Sequence, residues 1–171
     1  LIGRDPALIE QIWRELMFAT HATTVGAITS LALAAIDTAL WDWRARSQGL
    51  PLWKLLGGAR SRVPLYTTEG GWLHLSPEAL VDQTLEAQAQ GFKGAKIKIG
   101  RPHVSEDVAR LSAVRDAVGP AFELMTDANQ IWGVDTAVEW MTSLAPFKPY
   151  WIEEPTARDD VQGFVRIAQA M

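Results

Sequence analysis

The chain has 171 residues, 48% hydrophobic and 21% charged, a globular balance that excludes a disordered or low-complexity polypeptide. Its formal net charge of −4, with no run of Lys or Arg, argues against a nucleic-acid-binding surface. With no cysteine, disulfides, thiolate metal sites and a cysteine nucleophile are excluded, and a cytoplasmic location is expected.

No basic region or cleavage site marks the N-terminal residues Leu1 to Pro6, so no targeting segment is expected, and the missing initial Met suggests a start within a longer protein. Asp5 and Pro6 predict a helix start, followed by an apolar stripe of Leu8, Ile9, Ile12, Trp13, Leu16 and Met17. A second helix is expected from about Val25 to Arg46. Its apolar part, Val25 to Trp41, is shorter than the roughly 18 residues of a membrane span and contains Asp37. It therefore reads as a helix buried on most sides, with Asp37 satisfied by backbone or an arginine, and no membrane partner is expected. Gly49-Leu50-Pro51 breaks it, Pro51 to Leu56 can add a turn, and Gly57-Gly58 with Arg60 to Arg62 reads as a linker. Residues 1–61 are thus expected to form a helical segment, and residues 62–171 a second domain.

From Val63 onward strands and helices alternate. A strand is expected at Val63 to Thr68, then a helix opened by Ser76-Pro77-Glu78 and running to Gln90. The strand Ala95-Lys96-Ile97-Lys98-Ile99 follows, and then a helix from Ser105 stopped by Gly119-Pro120. The strand of Glu123 to Asn129, a helix from about Asp135 to Ala145, the strand of Tyr150 to Glu154 ended by Pro155, and a helix to Met171 complete the series. Four strands each followed by a helix predict an α/β fold with a parallel sheet, and no Gly-rich phosphate loop supports a nucleotide-binding version. The expected architecture is the first half, about four β/α units, of a TIM-type barrel.

Alternation places Lys96 and Lys98 on one strand face and Ala95, Ile97 and Ile99 on the other. If helices cover the outer face, the lysines point inward, where each buried ammonium costs several kcal/mol unless a carboxylate lies near. The next two strands supply them: Asp127, with Asn129 on the same face, and Glu153. Side chains at the carboxyl ends of barrel strands converge on one mouth, so these groups should meet there as a balanced polar cluster. Glu154, on the opposite face, is expected to form a separate ion pair. His74, after a strand end and a Gly-Gly turn, is a candidate substrate contact. The eight Trp read as mostly core, with Trp132 near the mouth, and Leu65 and Trp151 are expected to point to the inner face.

Lys96-Ile97-Lys98, Asp127-Ala128-Asn129-Gln130 and Trp151-Ile152-Glu153-Glu154-Pro155, in that order on successive strands, resemble the mandelate racemase subgroup of the enolase superfamily. Ala35 to Asp42 and Leu55 to Gly58 resemble the helical capping segment that precedes the family's barrel. Gly70 to His74, Lys98 to Pro102 and Thr126 to Gln130 look like acid-sugar dehydratases of the galactarate/talarate type. Tyr66 to Thr68 and Glu153 to Thr156 look more like L-fuconate dehydratase. The resemblance implies Mg2+ bound by Asp127 and Glu153, Lys98 as the base that takes the α-proton of a sugar acid, Lys96 as a catalytic partner of the substrate carboxylate, and Asn129 at the substrate. An enediolate stabilised by the metal would then lose its β-hydroxyl to give a 2-keto-3-deoxy acid. The lysine-with-magnesium arrangement of this superfamily is a known pattern. A lysine base needs a lowered pKa, and a neighbouring ammonium or a divalent cation acts in that direction.

The family's third metal carboxylate and its His-Asp acid/base pair would follow Met171, so the chain alone is expected to be inactive. Four parallel strands leave two open edges, for which a homo-oligomer is expected. A racemase or epimerase on the same site, and a non-catalytic half-barrel that self-associates or binds sugars, are the competing readings.

Overall fold

The structure, a computed structural model, describes residues 1–23 and 26–171. It consists of two compact units, Leu1–Arg62 and Val63–Met171. No helix among the described residues is long and apolar enough to cross a membrane.

The first unit is helical: α1 (Ile9–Ala19), α2 (Ala27–Ser47) and the single turn α3 (Leu52–Leu55). Asp5 does not start α1; its side chain accepts from the Ala7 amide and closes a turn, and the helix begins at Ile9. The expected start of α2 at Val25 lies outside the described residues. The expectation that α2 is buried on most sides is wrong for this unit. Only Ala45 is buried, while Ile28 and Leu31 are largely exposed. Two neighbouring helices, one of a single turn, cannot cover a helix of 21 residues. For the same reason Trp13, Trp43 and Trp53 are exposed, and among the eight tryptophans only Trp132 is buried. Asp37 makes no side-chain hydrogen bond or ion pair among the described residues.

The second unit alternates as expected: β1 (Tyr66–Thr67), α4 (Pro77–Ala89), β2 (Gly94–Lys98), α5 (Val104–Val118), β3 (Glu123–Asp127), α6 (Val134–Leu144), a 3-10 turn at Ala145–Phe147, β4 (Ile152–Glu153) and α7 (Val161–Ala170). The strands pair in parallel in the order β1-β2-β3-β4, giving the four successive β/α units expected of a half-barrel. Pro77 sits at the first helical position of α4, with the Ser76 hydroxyl accepting from the Ala79 amide. At the start of α5, Glu106 reaches back to the His103 amide, which moves the helix start just ahead of Ser105.

The core lies between the sheet and its helices. Ala95 and Ile97 of β2, and Ile99 just past its end, pack with Leu80 of α4, Leu111 and Val114 of α5, and Leu124 of β3. Each such large side chain contributes about 1.5–3 kcal/mol on burial, so this packing commits the opposite face of β2, with its two lysines, to the inner side. The pairing of Tyr66 with Gly94 puts Tyr66, not Leu65, on that inner face; Leu65 is exposed. There the Tyr66 ring meets Trp151 edge-on, with centroids 5.2 Å apart. Gly94, opposite Tyr66 in the ladder, has no side chain to stand between the two rings.

β1 is shorter than expected because its chain leaves the ladder after Thr67 and returns two residues past Glu69. Gly71 then accepts at its carbonyl from the Lys98 amide, 2.7 Å away. The approach is so close that a Cβ at residue 71 would stand 1.9 Å from the Lys96 carbonyl oxygen. Only glycine fits.

Candidate active site

In the sheet register Lys98 lies opposite Asp127, and Asp127 opposite Glu153. The three side chains therefore form one row across β2, β3 and β4, with Lys96 one step behind. Lys96 Nζ donates to both Glu153 oxygens at 3.0 and 2.9 Å and lies 3.2 Å from Asp127 Oδ2. Lys98 Nζ donates to the same Asp127 oxygen at 2.5 Å. The polar cluster expected at the strand ends is present, with two ammonium groups balanced by two carboxylates.

Exposure decides what these pairs are worth. The Asp127 side chain is 2% exposed, Lys96 11% and Lys98 21%, whereas Glu153 is 39% exposed. Asp127 is thus the buried hub, and losing it would strand Lys98 and leave Lys96 with Glu153 alone; the Lys96–Glu153 pair is closer to a solvent-screened surface bridge. Burial pushes the Asp127 carboxyl up, but hydrogen bonds from Lys98, the Asn129 amide and Lys96 outweigh it and hold the group below the usual carboxylate range. Burial likewise opposes the Lys96 ammonium, yet Glu153 and then Asp127 outweigh it and hold this lysine above its ordinary value. At Lys96, then, the carboxylates win over burial.

These directions predict a stability profile. Asp127 has a folded pKa below its unfolded value of about 3.9, so its contribution is present above that pH and is lost as pH falls through the folded value. Lys96 has a folded pKa above its unfolded value of about 10.4, so its contribution is complete below that pH and disappears as pH rises through the folded value. Urea midpoints measured across pH should show losses at both extremes from these two groups. In Lys96→Met the alkaline loss should shrink; an unchanged alkaline limb would mean that Lys96 is not held by these carboxylates.

Beyond the row the chain turns sharply. Strand β3 ends at Asp127, and Asn129 and Gln130 take left-handed backbone angles, φ 48 and 64. Asp127 Oδ1 accepts from the Asn129 amide at 2.9 Å, closing the turn. Asn129 therefore does not share a strand face with Asp127, since it lies in this turn, two residues past the end of the strand. It instead lines a cleft of about 560 Å³ together with Trp72, His74, Lys98, Arg101 and Ile131. Three sequence candidates, His74, Lys98 and Asn129, thus border one space, and Lys98 joins that space to the carboxylate row. Glu154, φ 47, forms no ion pair among the described residues; the turn after β4 breaks the alternation that placed it opposite Glu153. Trp132 stacks at a tilt on Trp140 within the core, centroids 5.0 Å apart, and Trp72 is the tryptophan at the cleft.

Sequence reasoning missed Arg101, Asp107 and Arg110. Asp107 and Arg110 are buried and paired at 3.1 Å, and they bind the loop ends around the cleft. Their three-residue spacing puts them on one helix face, but nothing in the local pattern distinguishes that from a solvated i,i+3 pair.

Asp127 and Glu153 offer hard carboxylate oxygens on adjacent strands in register, a donor set of the kind Mg2+ takes when substrate and water complete its octahedron. No cluster of three or more His, Cys, Asp or Glu suited to a metal occurs among the described residues. The two-carboxylate set fits magnesium without filling its shell.

Residues 1–57 match the mandelate racemase / muconate lactonizing enzyme N-terminal domain, and residues 79–171 match the enolase C-terminal domain-like family. L-talarate/galactarate dehydratase of Salmonella typhimurium is 39% identical over 171 residues, covering 100% of this chain and 43% of the dehydratase. 3,6-anhydro-alpha-L-galactonate cycloisomerase of Streptomyces coelicolor is 43% identical, covering 99% of this chain and 46% of the cycloisomerase. The chain thus spans less than half the length of these curated relatives. The crystal structure of the Salmonella dehydratase, liganded with Mg and L-lyxarohydroxamate, superposes with a TM-score of 0.94 at 39% identity, covering 100% of this chain and 44% of that one. With both domain families matched in order, and with Lys98, Asp127 and Glu153 in one row at the strand ends, the chain belongs to the enolase superfamily, in its mandelate racemase / muconate lactonizing enzyme branch.

Proposed function

We propose that the protein acts in the magnesium-dependent dehydration of a sugar acid, an aldonate or an aldarate, giving a 2-keto-3-deoxy acid. The observation that carries the reading is the row of Lys98, Asp127 and Glu153 bordering a cleft lined by His74, Asn129 and Arg101. The likeness to the magnesium-liganded dehydratase supports it further.

In this reading Asp127 and Glu153 hold the metal, which supplies positive charge beside the substrate carboxylate. Lys96, charged and one step below the row, binds that carboxylate as a hydrogen-bond donor. Lys98 accepts the α-proton; the residue already sits at the border between the row and the cleft. The electron pair left on the α-carbon expels the β-hydroxyl as water when a proton donor meets it, and the enol relaxes to the keto acid. His74 and Asn129 contact the polyol and orient it.

The likeness to a cycloisomerase favours a second reading, in which the same proton abstraction leads to an isomer without loss of water. One experiment separates these. Magnesium is titrated calorimetrically into the whole protein, and a panel of aldonic and aldaric acids is then incubated with it and followed by NMR. Heat on titration and a 2-keto-3-deoxy product are expected. An isomer of unchanged mass would favour the racemase, epimerase or cycloisomerase reading, and no heat with no turnover would favour a non-catalytic, sugar-binding half-barrel.

A further inference from the structure

The Asp107–Arg110 pair is buried under the site and belongs to none of the groups assigned above. Arg110 Nη1 donates to the Lys98 carbonyl at 2.8 Å and to Asp107 Oδ1 at 3.1 Å, and Nη2 donates to the Trp72 carbonyl at 3.1 Å. Asp107 Oδ2 accepts from the Gly100 amide at 2.7 Å and from the Arg101 amide at 3.0 Å. The pair therefore ties together the end of β2, which carries Lys98, and the segment after β1, which carries Trp72 and His74.

Why these groups need such partners follows from the sheet. β1 stops at Thr67, so the ladder has no residue of β1 left to bond the Lys98 carbonyl; the guanidinium takes that place. Strand β2 gives way to a turn at Gly100, φ 109, whose amide and that of Arg101 point away from any strand and end on Asp107. A buried ion pair is a poor source of net stability, because desolvation offsets its attraction. Arg110 also leaves its Nε buried without a partner among the described residues, a further cost. What the pair gives the protein is a fixed geometry.

We propose that Asp107 and Arg110 are positioning residues that lock the Lys98 main chain and the Trp72–His74 segment against each other, so that the Lys98 amine meets the α-proton of a substrate held in the cleft. The inference rests on the reading of Lys98 as the base. A misplacement of about 1 Å at a reacting group can cost on the order of 100-fold in rate, which sets the expected effect.

The test is α-proton exchange of a sugar-acid substrate in deuterated water, measured on the whole protein beside thermal unfolding and magnesium titration. Asp107→Leu/Arg110→Met replaces the pair by apolar groups of similar size. It should fold with a lowered Tm, because the Lys98 and Trp72 carbonyls and the Gly100 and Arg101 amides lose their partners, but, assayed well below that Tm, it should keep its magnesium affinity and lose exchange on the order of 100-fold through kcat rather than KM. Arg110→Lys keeps the charge pair but cannot reach both carbonyls, and should fall between wild type and the double variant, which keeps the test usable if the double variant fails to fold. Wild-type exchange in either folded variant overturns the proposal, as does a loss that merely tracks Tm or magnesium affinity. Lys98→Ala is run in parallel. If it retains exchange, the reading of the base fails; if it loses exchange while the folded pair variants keep theirs, only the positioning role fails.

Discussion

Lys98→Ala is expected to lower α-proton exchange of a sugar acid in deuterated water by about 10²–10⁴-fold, the usual contribution of a positioned general base, while magnesium binding persists. The second half of this expectation comes from the geometry around Asp127. Without Lys98, the carboxylate still has Lys96 at 3.2 Å and the Asn129 amide at 2.9 Å, and Glu153 keeps both contacts to Lys96. The carboxylate pair should therefore stay in register. Exchange is followed by NMR loss of the α-proton signal, and magnesium binding by calorimetry on the same preparation. Exchange at the wild-type rate would assign the base to another group and remove the main support for a dehydratase.

Asp127→Ala should be the most damaging single change in the cluster, and more damaging than Glu153→Ala. Removing Asp127 takes the hydrogen-bond partner of Lys98 and one contact of Lys96, leaving the Lys98 ammonium without compensation on a mostly buried face, a situation that costs about 3–5 kcal/mol. Removing Glu153 leaves Lys96 beside Asp127, and the lost pair was solvent-screened, so about 1 kcal/mol or less is expected. Urea unfolding of the two variants measures that difference. Both should weaken magnesium binding, and the double variant should bind little worse than either single one, because each removes half of a shared ligand pair. Equal destabilisation would show that Asp127 is not the buried hub, and additive losses of magnesium affinity would show that the carboxylates serve separate ions.

The sheet and its inward lysines were legible because two periodicities agreed. Ile97 and Ile99, alternating with Lys96 and Lys98, mark one buried and one polar face, and the apolar side chains Val108, Leu111 and Val114 at helical spacing supply the cover. Asp127 and Glu153 were legible as the compensating charges that such a face demands. Legibility ended where alternation ended. Asn129 and Glu154 take left-handed backbone angles just past their strands, where period-two reasoning no longer applies. Asp107 and Arg110 were hidden because burial of an i,i+3 ion pair depends on backbone groups of Trp72 and Lys98, distant in sequence from the helix itself. The exposed apolar face of α2 misled for another reason: an apolar run states that cover is needed, not that the chain at hand provides it.

Lys98, Asp127 and Glu153 stand one per strand in a single row, so the distance between them is the pitch of the main-chain ladder, about 4.8 Å from strand to strand. No side-chain substitution alters that pitch. A descendant sequence can exchange an amine for a carboxylate or an amide at any of the three positions and inherit the spacing intact, while the loops beyond the row vary freely in length and composition. Divergence of reaction type then requires few mutational steps, each testable by selection without rebuilding the scaffold. The backbone acts as a ruler on which new chemistries are written.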